Sequence, residues 1–568
     1  ASEIDGLGQN SFRIFDTTFI LNGGDFMNVL IGNAWPYANG SLHIGHMAAL
    51  LPGDVLARYF RAKGDTVFFV SGSDCHGPPV AIKAKKENKT PQEISDYYHK
   101  EFTDCFLRLG FSYDMYGKTS GAEHKGFVTD FHKKLYDGGY VYEESVPQAY
   151  CPVCEQFLPD RYLKGICPHC RKAARGDQCE ACGNIPDPKT LIQPVCSLCG
   201  NIPEFRPSKH LYLAVTRMKK VLGEYIESHG EWRKNAYEMS KRYLQEGLRD
   251  RSLTRDLDWG IDVPKEGYEG KKIYIWAENV LGYLSMCHTL CLRFGMDFYE
   301  FWNSAVQYYV HGKDNIPFHT LILPSLLFGR TDVTLKFPDR IISSEYLTLE
   351  GRKISTSENR AVWVKDILDR YDPDSIRYFL IASGPEKRDT DFTWREFVHS
   401  HNGELLGAYG NFVNRSLVFI QKYFENKVPD SPVNLDFIRQ IQKLYTETGE
   451  RIEQGNFKEA LEGIFSLVRA ANKYFDEEQP WITVKSDNNK CKETLNTCVQ
   501  IIANLSCLLE PFLPFSSEKV RRMMKIEKPV WQYIHIPSGR EPENVNILFQ
   551  RIDKKVIEEE EARLHGCI

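Results

Sequence analysis

The fold is decided by the stretch NAWPYANGSLHIGHMAALLPGD, which covers residues 33–54. A short apolar segment, residues 27–32, comes before it and is predicted to be a buried strand. A helical pattern of apolar residues follows, with a kink expected at Pro52 and an end at Gly64. A second strand is predicted over residues 66–70. This β-α-β order places a helix N-terminus after a strand, where free N–H groups favour an anion.

The composition is typical of a globular enzyme with several domains. The chain has 568 residues, enough for several domains and a large core. Its formal net charge of −5 excludes a generally basic nucleic-acid-binding protein, so any contact with nucleic acid has to be local. No apolar run approaches the roughly 20 residues of a membrane helix. No signal peptide is evident, and a cytoplasmic protein is expected.

The fold class is predicted to be α/β, with a Rossmann-type, doubly wound catalytic domain, a zinc-binding insert and an all-α helical bundle. Strand-like and helix-like segments alternate on both sides of a region rich in Cys, Pro and Gly. The predicted parts are 1–26, an N-terminal extension or expression remnant; 27–140, the first half of the catalytic domain; 141–208, the insert; 209–340, the second half; 341–400, a polar loop and linker; 401–545, the helical bundle, with junctions near 431–432 and 455–456; and 546–568, a charged tail that is a solvated helix or disordered.

Eight of the sixteen cysteines form four Cys-x-x-Cys pairs. Each pair can present two thiolates to one ion, and two pairs complete the closed tetrahedral site of structural zinc. Redox pairs, disulfides or a free-standing nucleic-acid-binding zinc module are the alternatives. The scattered cysteines are predicted to be small core residues. Two zinc ions are predicted, an inner one on Cys167, Cys170, Cys179 and Cys182, and an outer one on Cys151, Cys154, Cys196 and Cys199.

Two distant elements carry the functional signal. The first signature, His43-Ile44-Gly45-His46, opens the first helix, and the second signature, residues 353–357 (KISTS), lies in a late polar loop. Alone, each is explained by chance, by buried histidines or by a solvated loop. Together with AWPYANGSLHIGHM, GSDCHG, HGKDNIPFH, EQPW and the cysteine insert, they resemble the methionyl-tRNA synthetases, a family of class I aminoacyl-tRNA synthetases. The resemblance runs from residue 27 to about residue 550.

The resemblance implies ATP-dependent ligation of L-methionine to tRNA(Met) through a methionyl-adenylate. Catalysis then depends on positioning and on neutralising phosphate charge, with Mg²⁺ accompanying ATP. The resemblance assigns Asp314, which follows a strand-like segment, to the ribose of ATP, and an Asp that only caps the next helix is the alternative. The implied catalytic residues are His43, Gly45, His46, Lys353, Ser355 and Ser357. The implied ATP-binding residues are Asn39, Gly45, His46, Gly312, Asp314, Lys353 and Thr356.

The resemblance also implies a methionine pocket. Aromatic rings suit a thioether, and a carboxylate suits an ammonium group. Asp74 is assigned to the amino group, Tyr37 and His319 to the sulfur, and Trp276 to the wall, with core packing as the alternative for an isolated aromatic residue. The implied pocket residues are Ala34, Trp35, Tyr37, Asp74, Trp276, Tyr283 and His319.

The helical region resembles the anticodon-binding bundle of the same family. Asn411 and Arg415 are four residues apart, so they share a face of one predicted helix. Pro480 and Trp481 offer an indole that can stack on an unpaired anticodon base. A simple surface pair is the alternative for Asn411 and Arg415. The implied partner is tRNA(Met), initiator and elongator, and a monomer is expected because little chain follows the bundle.

Some positions depart from the family's patterns. Thr356 replaces the second lysine of the common Lys-Met-Ser-Lys-Ser signature, which removes one positive charge. In WAENVLGY, Asn279 and Val280 differ from the frequent W-x-D-A-P-I-G-Y, and Trp35 stands where some members have leucine. The expected pocket shape changes accordingly, while the substrate class does not.

Three other functions stay open at this point. Synthetases for isoleucine, valine and leucine carry a much larger insert, and the cysteine enzyme holds zinc in its amino-acid pocket. A nucleotidyltransferase can share the first signature, but it would not need Asn411, Arg415 and Trp481. A non-catalytic tRNA-binding scaffold descended from a synthetase is favoured only by Thr356. Formation of an aminoacyl-adenylate separates the scaffold from the enzymes.

Overall fold

The structure is a computed structural model that describes residues 26–158, 162–176, 179, 181–182, 188–355 and 360–564. Its strands are β1 (Asn28–Asn33), β2 (Thr66–Ser73), β3 (Met115–Lys118), β4 (Val141–Cys151), β5 (Gln156–Phe157), β6 (Leu163–Ile166), β7 (Ala173–Arg175), β8 (Ile192–Cys196), β9 (Glu204–Leu213), β10 (Arg251–Ser252), β11 (Thr254–Arg255), β12 (Lys272–Ile273), β13 (Val306–Gly312), β14 (Arg340–Ser344), β15 (Leu347–Leu349), β16 (Arg352–Lys353) and β17 (Thr390–Phe392).

Its helices are α1 (Ile44–Lys63), α2 (Pro78–Glu87), α3 (Pro91–Arg108), α4 (Ala122–Asp137), α5 (Lys219–Glu227), α6 (Lys234–Glu246), α7 (Ile275–Glu278), α8 (Gly282–Phe294), α9 (Phe298–Ser304), α10 (Leu323–Gly329), α11 (Val364–Leu368), α12 (Pro373–Ala382), α13 (Trp394–Ser400), α14 (Asn411–Tyr423), α15 (Leu435–Glu453), α16 (Phe457–Glu478), α17 (Pro480–Ser486), α18 (Asn488–Leu508), α19 (Pro514–Met524) and α20 (Lys555–Leu564). None of these helices is long and apolar enough to cross a membrane. Nearly all of the predicted N-terminal extension and the last four residues of the tail lie outside the described residues.

A five-stranded parallel sheet, in the order β14-β13-β1-β2-β3, is the centre of the α/β part. From β1 the chain adds β2 and β3 on one side of the sheet, and from β13 it adds β14 on the other side. A crevice forms at the carboxyl ends of β1 and β13, where these two directions diverge. The predicted α/β fold is confirmed. Helix α1 continues through Pro52 and ends at Gly64, whose φ of 104° suits a residue without a side chain.

A long antiparallel ribbon carries the cysteine-rich insert. Strand β4 pairs with β9 from Val141 opposite Leu213 to Tyr150 opposite Glu204. The insert beyond it contains the small sheet β7-β6-β8. The ribbon continues past the predicted boundary at residue 208, because the end of β9 also pairs with β10.

The helical part follows the predicted periodicity up to α19. Both predicted junctions are confirmed, since α14, α15 and α16 are separated at residues 424–434 and 454–456. Residues 525–554 form neither helix nor strand, although a helical region was predicted up to 545. The buried amides of Gln500 and Asn504 bond the backbone of Ile536 and Ile534 at 2.8–2.9 Å and replace the hydrogen bonds that a helix would supply.

The charged tail is neither fully solvated nor disordered over its described length, which corrects the prediction. Glu560 of α20 is only 3% exposed. It accepts two hydrogen bonds from Arg370, at 2.7 and 3.0 Å, and one from the hydroxyl of Tyr371 at 2.8 Å. One acidic residue of the EEEE run therefore holds α20 against Arg370 and Tyr371. The sequence does not indicate which of four consecutive glutamates has this role.

A buried ion network joins α1 to the helical part. Asp54 is fully buried, with its Oδ2 2.7 Å from Nη2 of Arg377 and 2.8 Å from Nε of Arg58. Arg58 also reaches Glu510 at 2.8 Å, and Arg377 donates to the carbonyl of Phe512. Burial opposes the charged form, but Arg58 and Arg377 outweigh it and lower the pKa of Asp54 to about 2.

We expect Arg377→Met to lower the free energy of unfolding by about 3–5 kcal/mol, because it leaves the buried Asp54 without one of its two cations. The midpoint of urea unfolding, followed by circular dichroism, measures this loss. Arg439→Met is the control, since Arg439 pairs with Asp436 on the exposed surface of α15 and its loss should leave the midpoint unchanged. Equal midpoints for both variants would contradict the structural importance of the network.

Candidate functional site

The predicted site residues follow the carboxyl ends of the parallel strands. Ala34 comes directly after β1, Asp74 directly after β2, and Gly312 is the last residue of β13. Lys353 lies in β16, nine residues after β14 ends. Because these strand ends meet at one edge of the sheet, segments from distant parts of the sequence face the same crevice.

The two histidines of the first signature cap α1. Nδ1 of His43 accepts the N–H of Gly45 at 3.2 Å, and Nδ1 of His46 accepts the N–H of His43 at 3.2 Å. Burial lowers the pKa of His43 to about 2 and that of His46 to about 4, so both rings are neutral near pH 7. Since each Nδ1 is an acceptor, each Nε2 carries the proton. Each ring thus caps the helix through Nδ1 and offers an Nε2–H donor, and the capping role was not foreseen from the sequence.

The second signature is held against the first. The N–H of Ile44 donates to the carbonyl of Val362 at 3.0 Å, which ties the start of α1 to the segment just after the polar loop. A Cβ on Gly45 would lie 3.0 Å from the ring of His43 and 3.2 Å from Cδ1 of Ile354. A side chain at this position would press on both signatures, so the packing favours glycine, besides any approach of a nucleotide.

The polar loop is closed at its base. The backbone groups of Ser355 and Arg360 exchange two hydrogen bonds, at 2.9 and 3.0 Å, and the guanidinium of Arg360 donates to the carbonyl of Lys353 at 3.0 Å. Lys353 itself is exposed. The predicted site residues Thr356 and Ser357 lie outside the described residues. The loop base thus carries two cations close to the first signature.

Asp74 is fully buried, and its backbone and side chain are both bonded. Its N–H donates to the carbonyl of Pro36 and its carbonyl accepts the N–H of Ala38, both at 2.8 Å, which pairs it with the loop that carries Tyr37. Nδ2 of Asn279 donates to Oδ2 of Asp74 at 2.8 Å. The structure brings these predicted pocket positions together.

Tyr283 and His319 form a neutral polar pair. Nδ1 of His319 donates to the carbonyl of Asn315 at 2.8 Å, so its Nε2 accepts the hydroxyl of Tyr283 at 2.8 Å. Burial lowers the pKa of His319 to about 4. The ring of His311 stacks on it at 4.2 Å. A neutral, polarizable surface of this kind suits a thioether better than a charged side chain.

The two predicted pocket tryptophans differ in their surroundings. Trp35 is 6% exposed, and a Cβ on Gly72 or Gly282 would lie within 2.4–2.5 Å of its ring, so two glycines make room for it. Trp276 is partly exposed and packs edge to face on Phe318 at 4.9 Å. Trp276 therefore presents an accessible ring beside the segment of His319, whereas Trp35 is packed in the interior.

The predicted ribose residue, Asp314, accepts the hydroxyl of Tyr346 at 2.5 Å. It does not cap the next turn, because Gly312 occupies the N-cap position, so the alternative of a helix cap is wrong. Its neighbour Lys313 binds two other carboxylates at 2.6 and 2.9 Å. Asn39, predicted for ATP, lies in the loop between β1 and α1.

A buried carboxylate between two histidines adjoins Asp74 and was missed. Oε1 of Glu278 lies 2.5 Å from Nδ1 of His76 and 3.8 Å from Nε2 of His124. Burial favours the neutral acid, but the two imidazoles lower the pKa of Glu278 to about 2. In the sequence, the only sign of this buried cluster is the histidine of GSDCHG, His76. No local pattern relates His76 to Glu278, which lies 202 positions later.

The four Cys-x-x-Cys pairs assemble into two clusters of four. The Sγ atoms within each cluster lie within 4.8 Å of one another, and each cluster can hold a metal ion. The predicted combination of inner with inner and outer with outer pairs is confirmed. The side-chain amide and backbone of Asn201 lower the pKa of Cys199 to about 6, which favours a thiolate ligand. The scattered cysteines that the structure describes are buried, as predicted.

On the helical part, two of the predicted residues, Arg415 and Trp481, lie near one aromatic ring, Phe475. The guanidinium of Arg415 lies over Phe475 at 4.3 Å, and the ring of Trp481 lies 6.2 Å from Phe475. Trp481 is 47% exposed, and Pro480 beside it begins α17. Asn411 is exposed on the same helix as Arg415, as predicted. These residues form a surface with an exposed indole and an arginine.

Comparison with known proteins gives concordant results. The family model for "tRNA synthetases class I (M)" matches residues 29–417, and the model for "Anticodon binding domain of methionyl tRNA ligase" matches residues 429–567. The chain is 53% identical to methionine–tRNA ligase 1 of Alkaliphilus oremlandii over 540 residues, which covers 95% of this chain and 100% of that one. A methionine–tRNA ligase of Bacillus cereus is 53% identical over 550 residues, with the same coverage.

Solved structures show the same fold. The Mycobacterium tuberculosis methionyl-tRNA synthetase in complex with methionyl-adenylate matches with a TM-score of 0.78 at 20% identity. The match covers 92% of this chain and 99% of that one.

We expect Cys167→Ser to reduce the bound metal from two ions to one per chain, because a serine hydroxyl is a poor substitute for a thiolate ligand. Inductively coupled plasma mass spectrometry after dialysis measures the content. Cys105→Ser, a buried cysteine outside both clusters, is the control and should keep both ions. An unchanged metal content in Cys167→Ser would contradict the assignment of Cys167 as a ligand of the inner ion.

Proposed function

Because the chain belongs to the methionyl-tRNA synthetase family of class I tRNA synthetases, we propose that it ligates L-methionine to tRNA(Met) with ATP. Methionine and ATP first form methionyl-adenylate and pyrophosphate, and the methionyl group then passes to the tRNA with release of AMP. The observation that carries this proposal is the packing of Ile354 of the second signature against Gly45 of the first, at the carboxyl edge of the sheet where the buried Asp74 bonds Pro36 and Ala38.

In the proposed first step, the site holds methionine by charge and by polarizability. The carboxylate of Asp74 binds the ammonium group. The neutral Tyr283–His319 pair and the ring of Trp276 surround the thioether. The methionine carboxylate is then free to attack the α-phosphate of ATP.

The attack forms a bond between the carboxylate oxygen and the α-phosphorus, and the bond to the bridging oxygen of pyrophosphate breaks. The Nε2–H groups of His43 and His46, at the N-terminus of α1, donate to the phosphates. Lys353 brings a positive charge to the leaving pyrophosphate, and Ser355 and Ser357 bring hydroxyl groups. Asp314 accepts hydrogen bonds from the ribose hydroxyls. Mg²⁺, held by the phosphates of ATP, supplies further positive charge.

The two cysteine clusters are proposed to hold zinc. Four thiolates are the ligand set of a closed structural site, which leaves no open position for substrate. The ions therefore stabilise the insert and take no part in the reaction. A monomer that acts in the cytoplasm on initiator and elongator tRNA(Met) completes the proposal, and light scattering of the purified protein tests the monomeric state.

ATP–pyrophosphate exchange with each of the twenty amino acids tests the first step. We expect exchange with methionine alone. Exchange with another amino acid would overturn the pocket assignment, and no exchange at all would favour the non-catalytic scaffold. In the same assay, His46→Ala should be slower by a factor of about 10² or more, because one fixed donor to the phosphates is lost.

The control for His46→Ala is His399→Ala, an exposed histidine on α13 that should keep the wild-type rate. The KM for methionine should stay unchanged in both variants, because neither residue contacts the proposed amino-acid pocket. Full exchange activity in His46→Ala would contradict its assignment to the phosphates.

For the tRNA step, we expect Trp481→Ala to raise the KM for tRNA(Met) about tenfold, because base stacking contributes about 1–3 kcal/mol per base. Exchange without tRNA should be unaffected. Tyr299→Ala is the matched control, an aromatic residue that is 40% exposed on α9 of the catalytic part. Equal KM values for the two variants would place the anticodon elsewhere.

A further inference from the structure

We propose that Asn279 is a positioning residue that fixes the carboxylate of Asp74 for the α-amino group of the amino acid. The inference rests on the proposed function, in which Asp74 binds that group, and it adds a residue that sets how well the group is recognised. The observation is the 2.8 Å hydrogen bond from Nδ2 of Asn279 to Oδ2 of Asp74.

At the Asp74 end, the backbone is already fixed. Two backbone hydrogen bonds at 2.8 Å, to Pro36 and from Ala38, leave the side-chain torsions as the remaining freedom. The carboxylate is completely buried, where a polar group needs a donor to hold it. The amide of Asn279 supplies one and selects a single orientation of the carboxylate.

At the Asn279 end, the neighbouring residue is anchored to the same segment. Oε1 of Glu278 and Nδ1 of His76 are 2.5 Å apart. Two side-chain contacts, this one and that between Asn279 and Asp74, therefore join residues 278–279 to residues 74–76. The indole of Trp259 donates to the carbonyl of Cys75 at 2.7 Å and holds the segment of Asp74 from a third part of the chain. Because both ends are held, the amide of Asn279 cannot move together with the carboxylate of Asp74. Rotation of the carboxylate would therefore break the hydrogen bond.

The chemistry of the donor matters as much as its position. An amide is neutral, so it orients the carboxylate without cancelling its negative charge. An arginine or lysine at this place would form an ion pair and compete with the substrate ammonium. Asn279 itself therefore adds no charge that would compete with the ligand, and alanine at this position would remove one donor that orients the carboxylate of Asp74.

The test compares two competitive inhibitors of methionine-dependent exchange. L-Methioninol keeps the amino group and lacks the carboxylate, whereas 4-(methylthio)butanoate keeps the carboxylate and lacks the amino group. In Asn279→Ala, the inhibition constant of methioninol and the KM for methionine should rise about tenfold, the usual effect of a lost bond to a charged group. The constant for 4-(methylthio)butanoate and the KM for ATP should not change.

Asn279→Asp extends the test with a side chain of the same shape. It places a second carboxylate against Asp74, and the two must share a proton or move apart, so the amino-group effect should be at least as large as in Asn279→Ala. The control is Asn303→Ala, an exposed asparagine on α9 that bonds the backbone of Thr334 and Lys336 far along the sheet from the pocket. It should behave as the wild type.

An equal rise of both inhibition constants would show that Asn279 only shapes the pocket, and this would overturn the inference. Unchanged constants in Asn279→Ala would overturn it as well. Failure of the proposed function looks different, because the wild-type protein would then show no methionine-dependent exchange before any variant is made.

Discussion

The buried contact between Asp54 and Arg377 is the constraint on which the arrangement of the site depends. Asp54 lies in the middle of α1, whose N-terminus carries the first signature, and Arg377 lies in α12, after the second signature. The same guanidinium bonds the carbonyl of Phe512 in the helical part. An ion pair taken out of water is stable only when its remaining polar atoms are also bonded, so one network fixes three segments at once.

Three buried carboxylates have different partners, and the partner distinguishes a carboxylate with a structural role from one that is suited to bind a ligand. Asp54 is neutralised by two arginines, and Glu278 lies between two histidines. Asp74 instead receives a bond from the neutral amide of Asn279. An arginine compensates the charge of a carboxylate, whereas a neutral amide orients the carboxylate and adds no charge that would compete with an ammonium group. Thus the partner, more than burial, marks which carboxylate is suited to bind substrate.

Whether a feature could be predicted from the sequence depends on how far apart in the chain the interacting residues are. The β-α-β unit, the end of α1 at Gly64 and the helical junctions depend on patterns within a few residues, and they are confirmed. The combination of the inner cysteine pairs follows from the short loop between Cys170 and Cys179, and the outer pairs are those that remain. The bond between Glu278 and His76 joins residues 202 positions apart, and the docking of Glu560 joins residues about as distant, so no local pattern reveals them. These contacts appear only when the sheet and the helical part are assembled.

The proposed phosphate site combines neutral hydrogen-bond donors in fixed positions with an exposed positive charge. His43 and His46 are held by the capping bonds of α1 and are kept neutral by burial, so their Nε2–H groups are directional but carry no net charge. Lys353 is exposed at the base of the loop and keeps its charge in contact with solvent. A buried cation would bind ATP strongly before reaction, and only interactions that strengthen as charge moves onto pyrophosphate accelerate the step. In the proposed mechanism, neutral donors at the helix and a cation from the loop meet that requirement, and the close packing of Ile354 against Gly45 brings the two signatures together.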